Sequence, residues 1–130
     1  LSNFWPAPIK TKEVTFPSAE HAYQAAKTLD ISQRKIISGL TAVEAKRYGR
    51  KLDIRSDWNE VKLDIMERIV RHKFGQEPLR SMLVATGDQP LVEGNTWGDT
   101  YWGVCRGVGH NHLGKILMKV RSELSSTKEA

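Results

Sequence analysis

The longest regular hydrophobic repeat of the chain lies in Asp57-Trp-Asn-Glu-Val-Lys-Leu-Asp-Ile-Met-Glu-Arg-Ile-Val-Arg-His-Lys-Phe-Gly75. Its apolar side chains recur every three or four residues, at Trp58, Val61, Ile65, Met66, Ile69, Val70 and Phe74. This spacing predicts an amphipathic helix over residues 58–74, because residues three and four apart share one face of a helix. Asp57 is suited to cap the first turn, and Gly75 is suited to end the last one.

Helix signals also surround this repeat on both sides. Capping residues, glycines and apolar periods predict helices over residues 18–29, 32–39, 41–49, 78–86 and 112–124. Short strands are predicted at 14–16, 90–93 and 101–104, and residues 1–17 otherwise read as loop and short extended pieces. The sequence therefore predicts a mainly α (α+β) fold: a compact multi-helix single domain over 1–130 with a small β-hairpin or short sheet, and a frayed tail over 125–130.

Composition narrows the class of protein. The chain has 130 residues, 20 Lys plus Arg against 15 Asp plus Glu, and a formal charge of +5. This balance fits either a solvated basic surface or a phosphate-bearing partner such as a nucleotide or nucleic acid. No apolar run approaches the ~20 residues that span a bilayer, so no membrane association is expected. The chain does not start with Met, and we expect that a native N-terminal segment precedes it.

Cysteine usage points to a reducing compartment. Cys105 is the one cysteine, so the chain cannot form an internal disulfide, and no CxxC pair offers a zinc site. We expect a cytoplasmic protein, or a nuclear one in a eukaryote, and no metal.

The first candidate site lies in the predicted helix 18–29. Glu20, Gln24 and Lys27 fall on one stripe of this helix, while small residues occupy most other positions. The pattern by itself favours an exposed polar face. The alternative is a stripe that lines a cleft, with Glu20 and Lys27 roughly 10 Å apart along the helix axis, a separation suited to gripping a ligand between them.

The second candidate site is the glycine-rich segment 91–103. It carries two acids, Glu93 and Asp99, among three aromatic residues, Trp97, Tyr101 and Trp102. A carboxylate beside an aromatic wall suits glycosidic chemistry, because the acid can orient water or protonate the leaving group while a ring stacks on a base or sugar. The alternative is that these rings fill the core beneath a loop.

A third segment, Gly109-His-Asn-His-Leu-Gly-Lys115, is close to a P-loop but has Ile116 where Ser or Thr is required. An ATPase is therefore not expected. A glycine-rich turn that leads into a helix can still hold an anion through backbone N–H groups. His110 and His112 lack a third ligand at a recognisable spacing, and no metal site is predicted.

Eight motifs follow one another along the chain and together cover nearly all of it: Leu1-Ser-Asn-Phe-Trp-Pro6, Pro17-Ser-Ala-Glu-His-Ala-Tyr-Gln-Ala-Ala-Lys27, Ala45-Lys-Arg-Tyr-Gly-Arg50, Asp57-Trp58, Lys73-Phe74, Leu91-Val-Glu93, Asp99-Thr-Tyr-Trp-Gly103 and Asn111-His-Leu-Gly-Lys-Ile-Leu-Met118. In this order they resemble the NADAR family, also called YbiA-like. The resemblance implies hydrolysis of an N-glycosidic bond to phosphorylated ribose, without a cofactor.

The resemblance also implies roles for individual residues. Lys27 matches a lysine proposed to form a Schiff base with opened ribose, Glu20 and Asp99 match acids that move protons, and Trp58 and Trp102 match positions that hold the base or ribose. The remaining expected substrate-binding residues are His21, Gln24, Glu93, Tyr101, Asn111 and Arg106. A lysine nucleophile needs a lowered pKa, and His21, Arg47 or Arg50 are candidates to supply part of the field that lowers it.

Two departures from the family pattern bear on the substrate. The family usually begins with a further short strand and a Tyr-Gly turn before Ser-Asn-Phe, and Arg106 stands where some relatives carry an acid between glycines. An arginine there favours an additional phosphate, as in ADP-ribose. The leading expectation is a monomeric enzyme that removes ADP-ribose from ADP-ribosylated guanine in nucleic acid. The alternatives are an N-glycosidase on ribosylaminopyrimidine intermediates of riboflavin biosynthesis, a non-catalytic ADP-ribose or NAD-binding module, and a basic nucleic-acid-binding domain.

Overall fold

The computed structural model describes the backbone of residues 2–129 and the side chains of 2–126. The described residues form six helices and four short strands, which confirms the mainly α fold with a small β component. In chain order they are β1 (Pro6–Lys10), β2 (Thr15–Ser18), α1 (Ala19–Ala25), α2 (Ile31–Ser38), α3 (Ala42–Gly49), α4 (Trp58–Lys73), α5 (Leu79–Val84), β3 (Gly94–Asn95), β4 (Val104–Cys105) and α6 (His112–Glu129).

The chain divides into two compact units, residues 1–73 and 74–130. In the first unit, β1 and β2 form an antiparallel hairpin in which Ile9 pairs with Phe16. Helix α1 packs against this hairpin and against α2, α3 and α4. Strand β1 lies within residues 1–17, which were predicted as loop and short extended pieces. It was not predicted as a strand because its alternating apolar positions, Ala7 and Ile9, are too few to show a period in the sequence.

Side-chain caps fix where three helices of the first unit begin. Ser18 accepts a hydrogen bond from the His21 backbone N–H, and Thr41 and Glu44 form the predicted capping box. The predicted cap of α2 is wrong by two residues: Asp30, not Ser32, caps this helix and accepts from the Ser32 N–H. A carboxylate accepts more strongly than a hydroxyl, which explains the preference.

Helix α1 is shorter than the predicted 18–29 and ends at Ala25. The Arg55 N–H donates to the Lys27 carbonyl at 2.8 Å, and Arg55 Nη1 donates to the Ala26 carbonyl at 3.5 Å. These carbonyls therefore bond to the segment that precedes α4 rather than to a further helical turn. Lys27 lies just beyond the helix.

The second unit contains α5, α6 and the short parallel pair β3–β4. The strands predicted at 90–93 and 101–104 are displaced to Gly94–Asn95 and Val104–Cys105. The reason is that the Tyr101 and Trp102 carbonyls accept hydrogen bonds from the His112 and Leu113 N–H groups at the start of α6. Arg121 of α6 is buried and donates to the Thr86 hydroxyl and the Gln89 carbonyl.

The last helix continues to Glu129, five residues beyond its predicted end. Residue 130 lies outside the described residues, and the fraying of the tail and the single-domain organisation stay predictions. None of the described helices is both long enough and apolar enough to cross a membrane.

Candidate functional site

Helix α1 buries the polar stripe that the sequence pattern favoured as an exposed face. Glu20 is 7% exposed and Gln24 is 4% exposed, and Gln24 Nε2 donates to Glu20 Oε1 at 2.7 Å. The exposed-face interpretation is therefore wrong for these two residues. A buried carboxylate beside an amide donor is an expensive arrangement that soluble proteins retain mainly where it serves a purpose.

Gly49 of α3 makes room for the Gln24 amide. A Cβ atom at this position would overlap Gln24 Oε1 and lie 2.7 Å from Gln24 Cδ. Gln24 Oε1 itself is buried and accepts no hydrogen bond from any described residue. The close approach of α1 and α3 therefore fixes the amide in the orientation that presents its N–H to Glu20.

Lys27 stands in the turn after α1, at the end of this stripe. Its Nζ lies 5.5 Å from the centroid of the Tyr23 ring, a cation–π distance. The same ring packs against Trp58, with centroids 5.3 Å apart and planes tilted by 57°. The amine is thus placed against an aromatic pair formed by α1 and the first residue of α4.

Burial lowers the pKa of Lys27 from its usual value, and the positive charges of Arg50 and Lys46 lower it further, while the Glu20 carboxylate opposes the shift. A lowered pKa increases the fraction of neutral amine, which is the nucleophilic form. Of the residues expected to supply this field, Arg50 contributes. The contribution of Lys46 was not predicted, because the sequence does not show which face of α3 meets Lys27.

His21 has a structural role at the start of α1. Its Nε2 bonds the Leu40 carbonyl at 2.7 Å and its Nδ1 bonds the Ser18 hydroxyl at 2.6 Å. A carbonyl only accepts, so Nε2 carries the proton and Nδ1 accepts from the hydroxyl. Both ring nitrogens of His21 therefore bond to protein atoms. Neither is free to make the predicted contact with substrate.

In the second unit, Asp99 organises the segment that carries the aromatic residues. Its Oδ1 accepts from the backbone N–H groups of Tyr101 at 3.1 Å and Trp102 at 2.9 Å. The Asn95 side chain in turn bonds both the N–H and the carbonyl of Asp99. Tyr101 and Trp102 meet edge to face with centroids 4.9 Å apart. Asp99 thereby fixes the backbone from which both rings project.

Asn111 joins the 91–93 segment to the start of α6. Its Oδ1 accepts from the Glu93 N–H and its Nδ2 donates to the Leu91 carbonyl, both at 2.9 Å. The N–H groups of Asn111, His112 and Leu113 already donate to the carbonyls of 103, 101 and 102. The predicted anion site at this helix start is therefore not supported, because its donors are used within the protein.

Two further predicted residues, Trp97 and Arg106, are exposed. Trp97 is 65% exposed, so its alternative role as a core residue is wrong. Among the side chains that the structure describes, no group of three or more His, Cys, Asp or Glu is arranged to hold a metal ion.

The structure thus brings predicted residues together within each unit. Glu20, Gln24, Lys27 and Trp58 share one cluster in residues 1–73, and Asp99, Tyr101 and Trp102 share one loop in residues 74–130. Tyr23 was missed. Its position four residues before Lys27 was the available signal, since such pairs adjoin on a helix.

Known proteins resemble this chain over nearly all of its length. The chain matches the NADAR domain family over residues 1–125. It is 42% identical over 129 residues to the riboflavin biosynthesis protein VVA0006 of Vibrio vulnificus, covering 95% of this chain and 35% of that protein. It is 40% identical over 133 residues to the N-glycosidase YbiA of Escherichia coli, covering 98% of this chain and 82% of that one.

Structural comparison gives the same result. The NMR structure of E. coli YbiA superimposes with a TM-score of 0.86 at 39% identity, covering 98% of this chain and 78% of that one. The chain spans about a third of the length of the Vibrio protein but most of the length of YbiA. The chain therefore belongs to the NADAR family, and its domain is of the N-glycosidase type.

Proposed function

We propose that this chain hydrolyses the N-glycosidic bond of a phosphorylated ribosyl adduct through Lys27, with ADP-ribosylated guanine as the leading substrate. The observation that carries the proposal is the Lys27 amine, which is half-buried against the Tyr23 ring with a pKa lowered chiefly by burial. A lowered pKa raises the fraction of neutral amine, which is the form that adds to a carbon–nitrogen double bond.

The reaction requires one amine and one proton carrier. Ring opening leaves C1 of the ribose doubly bonded to the base nitrogen, and Lys27 Nζ adds to C1. The bond from C1 to the base then breaks, and the base leaves with the electron pair and takes up a proton. Water next adds to the C1–Nζ imine, which releases the sugar as an aldehyde and restores the amine.

Glu20 is the acid that we assign to the proton transfer. Its charge acts on Lys27, and Gln24 holds one of its oxygens by a hydrogen bond of 2.7 Å. Asp99 has a different arrangement, since its Oδ1 already accepts two backbone N–H groups. We assign Asp99 to positioning the Tyr101 and Trp102 rings rather than to proton transfer.

Charge supports a substrate with more than one phosphate. The chain carries a net charge of +5, and Arg106 is an exposed cation on a glycine-flanked turn. Guanidinium groups pair well with phosphate oxygens. The second candidate substrate is a ribosylaminopyrimidine phosphate, which is favoured by the name of the Vibrio relative as a riboflavin biosynthesis protein.

The deciding experiment compares the wild-type protein with Lys27→Ala on both substrates. We expect release of the base by the wild type and loss of turnover in Lys27→Ala, because no other amine occupies this position. Lys51→Ala removes an exposed lysine of the same unit and should retain activity. Borohydride added during turnover should reduce the imine and attach the sugar to Lys27, which mass spectrometry locates.

Two outcomes would contradict the proposal. Full activity of a folded Lys27→Ala protein would exclude the amine as nucleophile. Tight calorimetric binding of ADP-ribose by the wild type, without turnover of either substrate, would instead favour a binding module.

A further inference from the structure

Trp97 and Arg106 extend from the same end of the small β3–β4 sheet. The two strands run parallel, with Asn95 paired to Cys105. Because parallel strands leave a sheet in the same direction, the loop that carries Trp97 and the turn that carries Arg106 emerge together. Trp97 has no part in the reaction proposed above, and both side chains are exposed.

Arg106 occupies a position where arginine is an unfavourable choice. Cys105 and Val108 exchange hydrogen bonds of 2.9 and 3.0 Å across a two-residue turn made of Arg106 and Gly107. Both turn residues have positive φ, 52° and 79°. Asn-Gly is the pair that such a turn favours, because Asn adopts this backbone region more readily than residues with long side chains do.

The Arg106 guanidinium therefore lies at the tip of a turn despite the steric cost of this backbone conformation. No contact that the structure describes for this side chain offsets the cost. Residues held in such backbone regions occur preferentially at functional sites. The segment 104–110 contains no acid that would offset this charge.

We infer that Trp97 and Arg106 form a contact surface for a single-stranded nucleic acid, which we call the Trp97–Arg106 surface. An exposed indole offers a flat face on which any base can stack, and an adjacent guanidinium can pair with the phosphate that links bases. Val108, exposed beside the turn, extends the apolar part of this surface. The inference that this strand carries the modified base rests on the proposed function.

The chemistry of the surface fits sequence-independent binding. Stacking on one ring and pairing with one phosphate do not distinguish among the four bases. Its contribution would be to hold the nucleotides that flank a modified base, so that a base in a strand binds better than the same base as a free nucleoside.

The first test measures binding without any reaction. Fluorescence anisotropy would follow a labelled, unmodified single-stranded oligonucleotide with the wild type, Trp97→Ala and Arg106→Asn. We expect Trp97→Ala to weaken binding about 5- to 150-fold, the range for loss of one stacked base. Trp5→Ala is the matched control, because Trp5 is 57% exposed but lies in the other unit, and it should bind as the wild type does.

Arg106→Asn separates loss of function from loss of structure. Asn suits the turn better than Arg, so this variant should be at least as thermally stable as the wild type. It should bind the oligonucleotide more weakly, with a slope of log affinity against log salt reduced by about 0.7, the value for one phosphate contact of a single strand. Arg106→Lys keeps the charge and should keep the slope.

A second measurement connects the surface to the reaction. Trp97→Ala should lower kcat/KM for ADP-ribosylated guanine within an oligonucleotide and leave it unchanged for the ADP-ribosylated nucleoside. If the wild type hydrolyses neither substrate but the variants still lose oligonucleotide binding, the proposed function fails and the surface stands. Unchanged binding in folded Trp97→Ala and Arg106→Asn proteins would overturn the surface.

Discussion

At the scale of single residues, Lys27 shows how the surroundings of a side chain change its chemistry. The residue lies in the turn after α1 rather than within the helix, half-buried against Tyr23. Burial penalises the protonated amine, and the cations Arg50 and Lys46 add to this effect. The protein therefore holds at this position a lysine that is worse for folding stability than a neutral side chain of similar shape.

This leads to a prediction on stability and pH. The unfolded chain keeps the ordinary lysine pKa of 10.5, whereas the folded pKa is lower, so protonated Lys27 opposes folding at neutral pH. We expect Lys27→Met to raise the unfolding temperature at pH 7. The gain should shrink as pH rises above the folded pKa, and it should vanish above 10.5, where the lysine is neutral in both states.

The measurement is a series of thermal unfolding curves from pH 6 to pH 11. Lys51→Met, at an exposed position, is the control and should show no such trend. A difference between Lys27→Met and the wild type that stays constant across this range would show that the pKa of Lys27 is not lowered in the folded protein.

Gly49 gives a second prediction at this scale. A Cβ atom at 49 would overlap the Gln24 amide, so Gly49→Ala should displace this side chain and break its bond to Glu20. We expect a loss of at least tenfold in kcat/KM, since one misplaced hydrogen bond at a reacting group costs on the order of 1.4 kcal/mol or more.

Gly39→Ala is the matched control, because Gly39 also ends a helix but a Cβ there would meet its nearest atom at an ordinary 3.6 Å. Its activity should equal that of the wild type. Equal activity of Gly49→Ala and Gly39→Ala would mean that the Gln24–Glu20 bond has no part in the reaction.

At the scale of elements, the ends of helices depend on contacts that lie outside them. Helix α3 begins at a capping box that is local in sequence, and this start was predicted correctly. Helix α1 ends where carbonyls bond to Arg55, which is about 30 residues later in the chain, and this end was predicted wrongly. Local signals therefore position helix starts better than helix ends in this protein.

Helix α2 offers a test of its packing through two neighbouring isoleucines. Ile37 is 0% exposed and Ile36 is 49% exposed. We expect Ile37→Ala to lower the free energy of unfolding by about 2–5 kcal/mol, because it removes a fully packed side chain and leaves a cavity. Ile36→Ala should cost about 1 kcal/mol or less, since that side chain already contacts water.

Chemical denaturation measures both values under one set of conditions. The two variants share the same chemistry and adjacent positions, so helix propensity changes equally in both. Equal losses of stability would show that α2 does not pack through Ile37 as described.

At the scale of the whole molecule, net charge and family membership give different information about the function. A net charge of +5 attracts phosphorylated ligands from solution but selects none of them. Family membership gives the class of reaction, an N-glycosidase-type hydrolysis, and leaves two substrates to separate by assay. The Vibrio relative has about three times the length of the matched region, so a domain similar to this chain also occurs within a larger protein.

The amino-acid sequence was enough to establish the mainly helical class, most helix starts and the family, and it predicted Glu20, Lys27 and Asp99 as candidate site residues. These properties depend on neighbours in the chain or on the order of motifs along it. The burial of Glu20 and Gln24, the contact of Lys27 with Tyr23 and the commitment of His21 and Asn111 to internal hydrogen bonds required the three-dimensional arrangement. Tyr23 and Lys27 are only four residues apart, but the other features arise where segments distant in sequence pack together, and no local pattern records which faces meet.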